Sequence, residues 1–151
     1  TSALEMDLLQ FLIRHRKRAS AERVLSGQGL SNLYEFLAER AGNPGQRLPP
    51  AEITARGLDH GEALARNALD LFCALLGAIA GDLTLTLGAR GGVYIGGGIV
   101  PRLLPILLES EFVARFQAKG RLSGMLTPIP IFVILDPCAA LLGAAAALDR
   151  G

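Results

Sequence analysis

Residues Gly91–Pro101 have the sequence GGVYIGGGIVP, a short apolar run between two groups of glycines. The pattern predicts a buried strand over Val93–Ile95 that leads through Gly96, Gly97 and Gly98 into a helix opened by the final proline. Because glycine lacks a Cβ atom, a ligand can lie directly against the backbone there. The N-terminus of the next helix adds free N–H groups and a positive dipole end. The segment is therefore a candidate nucleotide site, with a tight turn packed against a helix as the alternative.

Three segments together carry a family resemblance: GGVYIGGGIVPRLL from Gly91, SAERVLSGQGLSNLYEF at Ser20–Phe36 and ALLGAAAAL at Ala140–Leu148. They resemble, in the same order, segments of bacterial glucokinases, which belong to the actin-like sugar kinase superfamily. The resemblance implies an α/β fold, the helix-rich portion of the actin-like (ribonuclease H-like) C-terminal domain of a sugar kinase. It also implies glucose as substrate and ATP with Mg²⁺ as cofactors, and the glycine segment is similar to the family's adenosine side.

Other patterns of this family do not occur between Thr1 and Gly151: the D-x-G-G-T-N phosphate loop, the catalytic Asp and the G-E-G-G-H segment. The resemblance therefore implies a partial C-terminal domain over residues 1–151, with no catalytic residue of its own and inactive without the missing N-terminal domain. The expected function is ATP-dependent phosphorylation of D-glucose to glucose 6-phosphate by the parent enzyme. The alternative is a non-catalytic nucleotide- or sugar-binding sensor or regulatory module.

Glu22 is the candidate sugar contact. Ser20 is predicted to cap a short helical segment over Ala21–Leu25, and a carboxylate in the first turn of a helix favours the dipole by itself. The resemblance implies more, because the Glu of the family's S-A-E-R motif contacts the hydroxyls of the bound sugar and matches Glu22. A carboxylate accepts charge-assisted hydrogen bonds from vicinal hydroxyls, which is the chemistry that a glucose pocket requires.

The composition indicates a single domain with an incompletely covered surface. Of 151 residues, 50% are hydrophobic and 19% are charged, more apolar than a typical soluble domain. We expect another domain or subunit to cover part of that surface, and the dimers common among related glucokinases imply a homodimer. The net charge of +1 gives no electrostatic reason to expect nucleic acid or a charged membrane as partner. Cys73 and Cys138 lie in apolar runs without metal spacing, which predicts two buried, reduced thiols and a cytoplasmic location.

The first helix is predicted over Ala3–Arg18, with its apolar residues first and its basic residues last. This order does not fit a signal peptide. The basic run Arg14–Arg18 is either a nucleic-acid patch or a set of cations at a helix C-terminus, and the dipole favours the second interpretation. Further helices are predicted over Leu30–Ala41 and Ala51–Leu58, preceded by a turn at Ser26–Gly29.

The longest helical pattern is predicted from His60 to Leu87. After Asp70 it becomes apolar nearly all round, so a membrane span is one interpretation. Asp70 and Asp82 favour instead a helix buried in the centre of the domain, since a charge in lipid is costly. Gly77 and Gly81, four residues apart, predict the close approach of another element.

The remaining elements follow the glycine segment. Helices are predicted over Val100–Glu109 and Glu111–Gln117, then a buried strand over Ile129–Leu135. Asp136 is predicted to cap a last helix over Cys138–Leu148. In bacterial glucokinases, the family that this chain resembles, the joint between this strand and the last helix lies near the nucleotide. Here Cys138-Ala139-Ala140 stands where relatives often carry an Asn and a Pro-Gly.

Overall fold

The structure, a computed structural model, describes residues 2–59 and 61–149. Over these residues the chain forms eight helices, two short strands and several 3-10 turns. The helices are α1 (Ala3–Arg16), α2 (Gly27–Arg40), α3 (Pro50–Leu58), α4 (Ala63–Leu87), α5 (Leu104–Glu109), α6 (Phe112–Gln117), α7 (Ser123–Leu126) and α8 (Ala139–Leu148). The strands are β1 (Val93–Ile95) and β2 (Ile131–Val133). The predicted helix-rich α/β class is confirmed.

Helix α4 is the centre of the domain, and α2, α3 and α6 pack against it. Among the described helices it is the one whose length and composition would suffice to cross a membrane. However, 56% of its most apolar window is buried against the rest of the fold, which identifies it as the predicted core helix. The helix begins at Ala63 in the structure, and the predicted start, His60, lies outside the described residues.

The first two helices form one wall of the core. Buried Phe11 of α1 and Phe36 of α2 have ring centroids 5.6 Å apart. Helix α1 ends at Arg16, two residues before the predicted end, because Lys17 takes a left-handed conformation with φ 59°. Its basic end is used within the fold, since Arg14 and His15 approach Glu39 of α2.

Two sequence-based boundaries near α2 are wrong. The segment predicted as a turn is the first turn of the helix, because the Ser26 hydroxyl accepts a hydrogen bond from the Gly29 N–H at 3.0 Å and so caps it. Ser20, the predicted cap of the preceding segment, makes no capping hydrogen bond with its side chain. Only a three-residue 3-10 turn, Ala21–Arg23, forms there.

The two strands pair in parallel, with Val93 opposite Ile131 and Ile95 opposite Val133. Ile95 is buried, as predicted, but Tyr94 on the other face is 65% exposed and stacks on Phe132 of β2 at 5.0 Å. The prediction of a long buried second strand is wrong. Glycines bound β1 on both sides and limit the ladder to three residue pairs, and Phe132 lies on the face exposed in the described chain.

The single helix predicted over Val100–Glu109 divides into a 3-10 turn, Val100–Leu103, followed by α5. Pro105 lies in the first turn of α5 and has no N–H to donate, so the α-helical ladder cannot continue back across this point. After the glycine segment the chain therefore forms a 3-10 turn and then a short α-helix, not one continuous helix.

Helix α8 lies on the surface, and none of its described residues is buried. The predicted cap Asp136 does not cap it directly; its Oδ1 accepts a hydrogen bond of 2.7 Å from the Cys138 N–H in the turn before the helix. The prediction of two buried thiols is confirmed for Cys73 and wrong for Cys138, which is exposed because this end of the chain lies outside the core.

Candidate functional site

The glycine joint borders a cleft of about 510 Å³. Strand β1 ends at Ile95, the three glycines follow, and Pro101 lies in the first turn of the 3-10 segment, as predicted. The opposite wall comes from the end of β2 and the start of α8. Among the residues lining the cleft are Gly96, Gly97, Gly98, Arg102, Asp136 and Ala139.

The two edges of the cleft are held together by the sheet. Ile134, just after β2, donates a backbone hydrogen bond of 2.9 Å to the carbonyl of Ile95. Asp136 then fixes the turn into α8 through the Cys138 N–H. Both segments therefore leave the same end of a parallel sheet, the place where α/β folds commonly bind ligands.

The glycines leave this cleft open. A Cβ atom at Gly97 or Gly98 would meet no described heavy atom within 4 Å, so both positions face free space. Gly97 also has φ 115°, which favours glycine on conformational grounds alone. The helix dipole expected from the sequence is small here, since a four-residue 3-10 turn follows the glycines. The open backbone is the main feature that could receive a flat ligand.

Glu22 lies on the 3-10 turn Ala21–Arg23, with an exposed side chain. Within the described residues, the Glu22 carboxylate has no hydrogen-bond or ion-pair partner, while its backbone is firmly held. Arrangements of this kind present a carboxylate to solvent from a fixed backbone position, where it can accept hydrogen bonds from a polyhydroxyl ligand. Glu22 does not line the glycine cleft, so the structure does not bring the two predicted sites into one pocket.

Each backbone carbonyl from Ser20 to Arg23 has a donor. Those of Ser20 and Ala21 accept backbone N–H groups inside the turn. The Glu22 carbonyl accepts the Ser26 hydroxyl at 2.8 Å, and the Arg23 carbonyl accepts the side-chain amide of Asn32 at 2.9 Å. The turn that carries Glu22 is thus tied to α2 by the side chain of its N-cap residue, Ser26, and by that of Asn32 within the helix.

Close packing at Gly29 completes this arrangement. A Cβ atom there would lie 2.5 Å from the backbone carbon of Val24, so only glycine lets α2 approach the turn. Sequence analysis missed the supporting roles of Ser26, Gly29 and Asn32. Their placement in the segment SGQGLSN, which begins four residues after the predicted sugar contact, indicates proximity to Glu22 but does not identify the contacts.

No group of three or more His, Cys, Asp and Glu side chains in the described parts of the chain could hold a metal ion. The described residues offer instead an exposed carboxylate on a turn tied to α2 and, separately, an open glycine cleft at the end of a parallel sheet. The helix-rich α/β fold is that of a portion of an actin-like ATPase domain.

The glucokinase family model matches residues 1–151, and the chain belongs to the glucokinase family. It is 47% identical over 147 residues to the glucokinase of Neisseria gonorrhoeae. The aligned region covers 97% of this chain and 45% of that protein. It is 54% identical over 129 residues to the glucokinase of Chromobacterium violaceum, covering 85% of this chain and 37% of the relative. The chain therefore spans less than half the length of the curated relatives that it matches.

Two solved glucokinase structures are also similar to this chain. A glucokinase from an Antarctic psychrotroph is 37% identical, superposes with a TM-score of 0.91, and is matched over 100% of this chain and 47% of its own. A glucokinase from Balamuthia mandrillaris, solved in complex with glucose, is 23% identical with a TM-score of 0.83, over 99% of this chain and 42% of its own. The second likeness shows the fold.

Proposed function

We propose that the protein containing this chain phosphorylates D-glucose with ATP and releases glucose 6-phosphate. The observation that carries the proposal is the match of the glucokinase family model over residues 1–151. Residues 1–151 act as part of the C-terminal domain, and the phosphate loop and catalytic Asp come from the remaining length of the enzyme. The family match favours an enzyme over a sensor or regulatory module.

Glu22 is the sugar contact of this chain. Its carboxylate is exposed and its backbone carbonyl is tied to Ser26, so the side chain starts from a fixed position. Two oxygens on one carboxylate suit adjacent hydroxyls of a pyranose, and hydrogen bonds to a charged acceptor are stronger than neutral ones. Orientation of the sugar before transfer is a major part of catalysis in phosphoryl transfer.

Gly96, Gly97 and Gly98 hold the adenosine half of ATP. The open space beside Gly97 and Gly98 supports this assignment, because no described heavy atom beyond the chain neighbours lies within 4 Å of where a Cβ atom would stand at either position. Mg²⁺, when bound, would neutralise charge on the transferred phosphoryl group. Arg102 and Asp136 line the same cleft and place one charge of each sign beside the ligand.

We further propose that the enzyme is a cytoplasmic homodimer that pairs through this domain. Met6, Leu9 and Ile13 form an exposed apolar stripe on α1, at 51%, 43% and 52% exposure. A symmetric partner could cover this stripe. Leu9→Glu would then shift the full-length protein from dimer to monomer in light scattering; a dimer that persists would place the interface elsewhere.

A coupled assay on the full-length protein tests the activity. We expect glucose 6-phosphate to form only when glucose, ATP and Mg²⁺ are all present, and residues 1–151 alone to show no turnover. Binding of ATP or glucose without product in the full-length protein would favour the sensor alternative. Omission of Mg²⁺ by chelation serves as the control for background phosphate transfer.

A further inference from the structure

Asn32 connects the Glu22 turn to the interior of the domain. Its side-chain Nδ2 donates a hydrogen bond of 2.9 Å to the carbonyl of Arg23, the residue directly after Glu22. Asn32 is fully buried in the middle of α2, with an exposure of 0%. Burying a polar side chain costs free energy unless its hydrogen bonds are made. The Asn32 amide therefore keeps its hydrogen-bond partners in the folded state.

The other end of the amide is equally constrained. Oδ1 of Asn32 accepts hydrogen bonds from Arg16 Nε at 3.1 Å, Gln28 Nε2 at 3.3 Å and Arg47 Nη2 at 3.4 Å. Three donors on one side fix which atom of the amide is oxygen, and the nitrogen must then face the Arg23 carbonyl. The direction of the Asn32–Arg23 hydrogen bond follows from this arrangement.

Glu35 holds the two arginines in place. Its Oε2 accepts from Arg47 Nη1 at 2.6 Å and also from Arg16, and the Glu35 side chain is 15% exposed. The arginines come from α1 and from the loop before α3, so the network joins two separate segments to α2. Asn32 transmits their position to the turn.

We propose that Asn32 is a positioning residue for the sugar site: it fixes the carbonyl of Arg23 and thereby the direction of the Glu22 carboxylate. The proposal rests on the proposed function of Glu22 as the sugar contact. Asn32 itself is buried behind the turn and acts on glucose only through Glu22. Its loss should therefore weaken glucose binding while leaving the nucleotide side unchanged.

Asn32→Asp in the full-length enzyme removes the donor of the hydrogen bond to the Arg23 carbonyl. Aspartate has nearly the same shape and keeps an acceptor for Arg16, Gln28 and Arg47, but an ionised carboxylate cannot donate to the Arg23 carbonyl. We expect the KM for glucose to rise about tenfold, the effect of one buried hydrogen bond, and the KM for ATP to stay within about twofold. Asn32→Ser, which is uncharged and too short to bridge to the turn, replaces it if the aspartate variant does not fold.

Ser31→Ala is the matched control. Ser31 is adjacent in α2, 4% exposed, and donates a hydrogen bond of 2.8 Å to the Leu48 carbonyl, away from the Glu22 turn. Its removal deletes one hydrogen bond of a buried side chain, similar in length to that from Asn32 to Arg23. The thermal unfolding midpoint should fall in both variants, whereas the KM for glucose should change only in the Asn32 variant.

A double-mutant cycle with Glu22→Ala separates positioning from general loosening. If Asn32 acts through Glu22, Asn32→Asp adds less than about twofold to the KM for glucose once the carboxylate is absent. Multiplicative effects in the double variant would overturn the proposal, as would an unchanged KM for glucose in both Asn32 variants. If Glu22→Ala alone leaves the KM for glucose unchanged, the proposed role of Glu22 fails first and the role of Asn32 falls with it.

Discussion

The backbone carbonyl of Phe112 occupies the space that a Cβ atom on Gly77 would require. Gly81, one helical turn further along α4, meets the carbonyl of Phe116 in the same way. The two glycines thus form a flat strip on α4 against which α6 lies at backbone distance. Backbone atoms cannot move aside as the end of a flexible side chain can, so these glycines fix the packing of the two helices.

Gly77→Ala should lower the free energy of unfolding by about 1–3 kcal/mol through overpacking. This is the net loss: the Cβ atom would overlap three backbone atoms of Phe112, so the cost of overpacking exceeds the gain of about 1 kcal/mol that alanine has over glycine inside a helix. Gly124→Ala in α7 is the control, because a Cβ atom there meets nothing within 4 Å. Urea unfolding of the two variants measures the difference, and equal stabilities would mean that α6 does not pack as described.

Tyr34 links three segments, and its removal should show a pH signature. The buried Tyr34 hydroxyl donates to Glu62 at 2.9 Å and accepts from Gln46 at 3.1 Å. Burial and the Glu62 hydrogen bond raise the pKa of Tyr34 from 10.0 to about 12. Tyr34→Phe should cost about 1 kcal/mol at pH 8.

The raised pKa fixes the pH range of that contribution. Since an unfolded tyrosine ionises near pH 10.0, the stabilisation is complete below pH 10 and is lost as the pH rises towards 12. The difference in urea midpoint between wild type and Tyr34→Phe should therefore narrow over this range. A constant difference from pH 8 to pH 11.5 would contradict the ionisation of Tyr34 as its cause.

Gly98→Val should weaken nucleotide binding without loss of stability. Gly98 has no positive φ, and a side chain there would enter the open cleft, whereas any substitution at Gly97 also strains the backbone at φ 115°. We expect the KM for ATP to rise about tenfold or more, with an unchanged KM for glucose. Gly91→Val, which also meets open space but does not line the cleft, should leave both constants unaltered.

Cys138 provides a test of the nucleotide cleft that does not depend on turnover. It is exposed and lies between Pro137 and Ala139, both of which line the cleft. Bound ATP should slow alkylation of Cys138 by iodoacetamide, measured by peptide mass spectrometry. Burial raises the pKa of the Cys73 thiol from 9.0 to about 11, so Cys73 should stay unlabelled with or without ATP. Equal labelling of Cys138 in both conditions would contradict a nucleotide at this cleft.

Local sequence features predicted the parts of the fold that local chemistry controls. The glycine-bounded strand over Val93–Ile95, the core helix α4 and the close approach at Gly77 follow from apolar pattern and residue size. The short length and partial exposure of the second strand, and the exposure of Cys138, were not predictable in the same way. An apolar run indicates that a segment is buried against something, but it does not identify the element or partner that buries it.

The sugar side shows the same division. Glu22 was identified through the resemblance, because an exposed acid on a short turn has no distinctive local pattern. Asn32 is ten residues further along the chain, and its contact with Arg23 depends on how α2 folds back against the turn. Only the tertiary structure shows that the motif after Glu22 also supports it.

Glucose affinity of the full-length enzyme with and without the Glu22 carboxylate tests the central claim most directly. Glu22→Gln should raise the KM for glucose at least about tenfold, since a charge-assisted acceptor becomes a neutral amide. Glu111→Gln, a change at an exposed glutamate beside α6, is the control and should leave the KM for glucose within about twofold. An active enzyme whose KM and kcat for glucose are the same in wild type and Glu22→Gln would remove Glu22 from the sugar site.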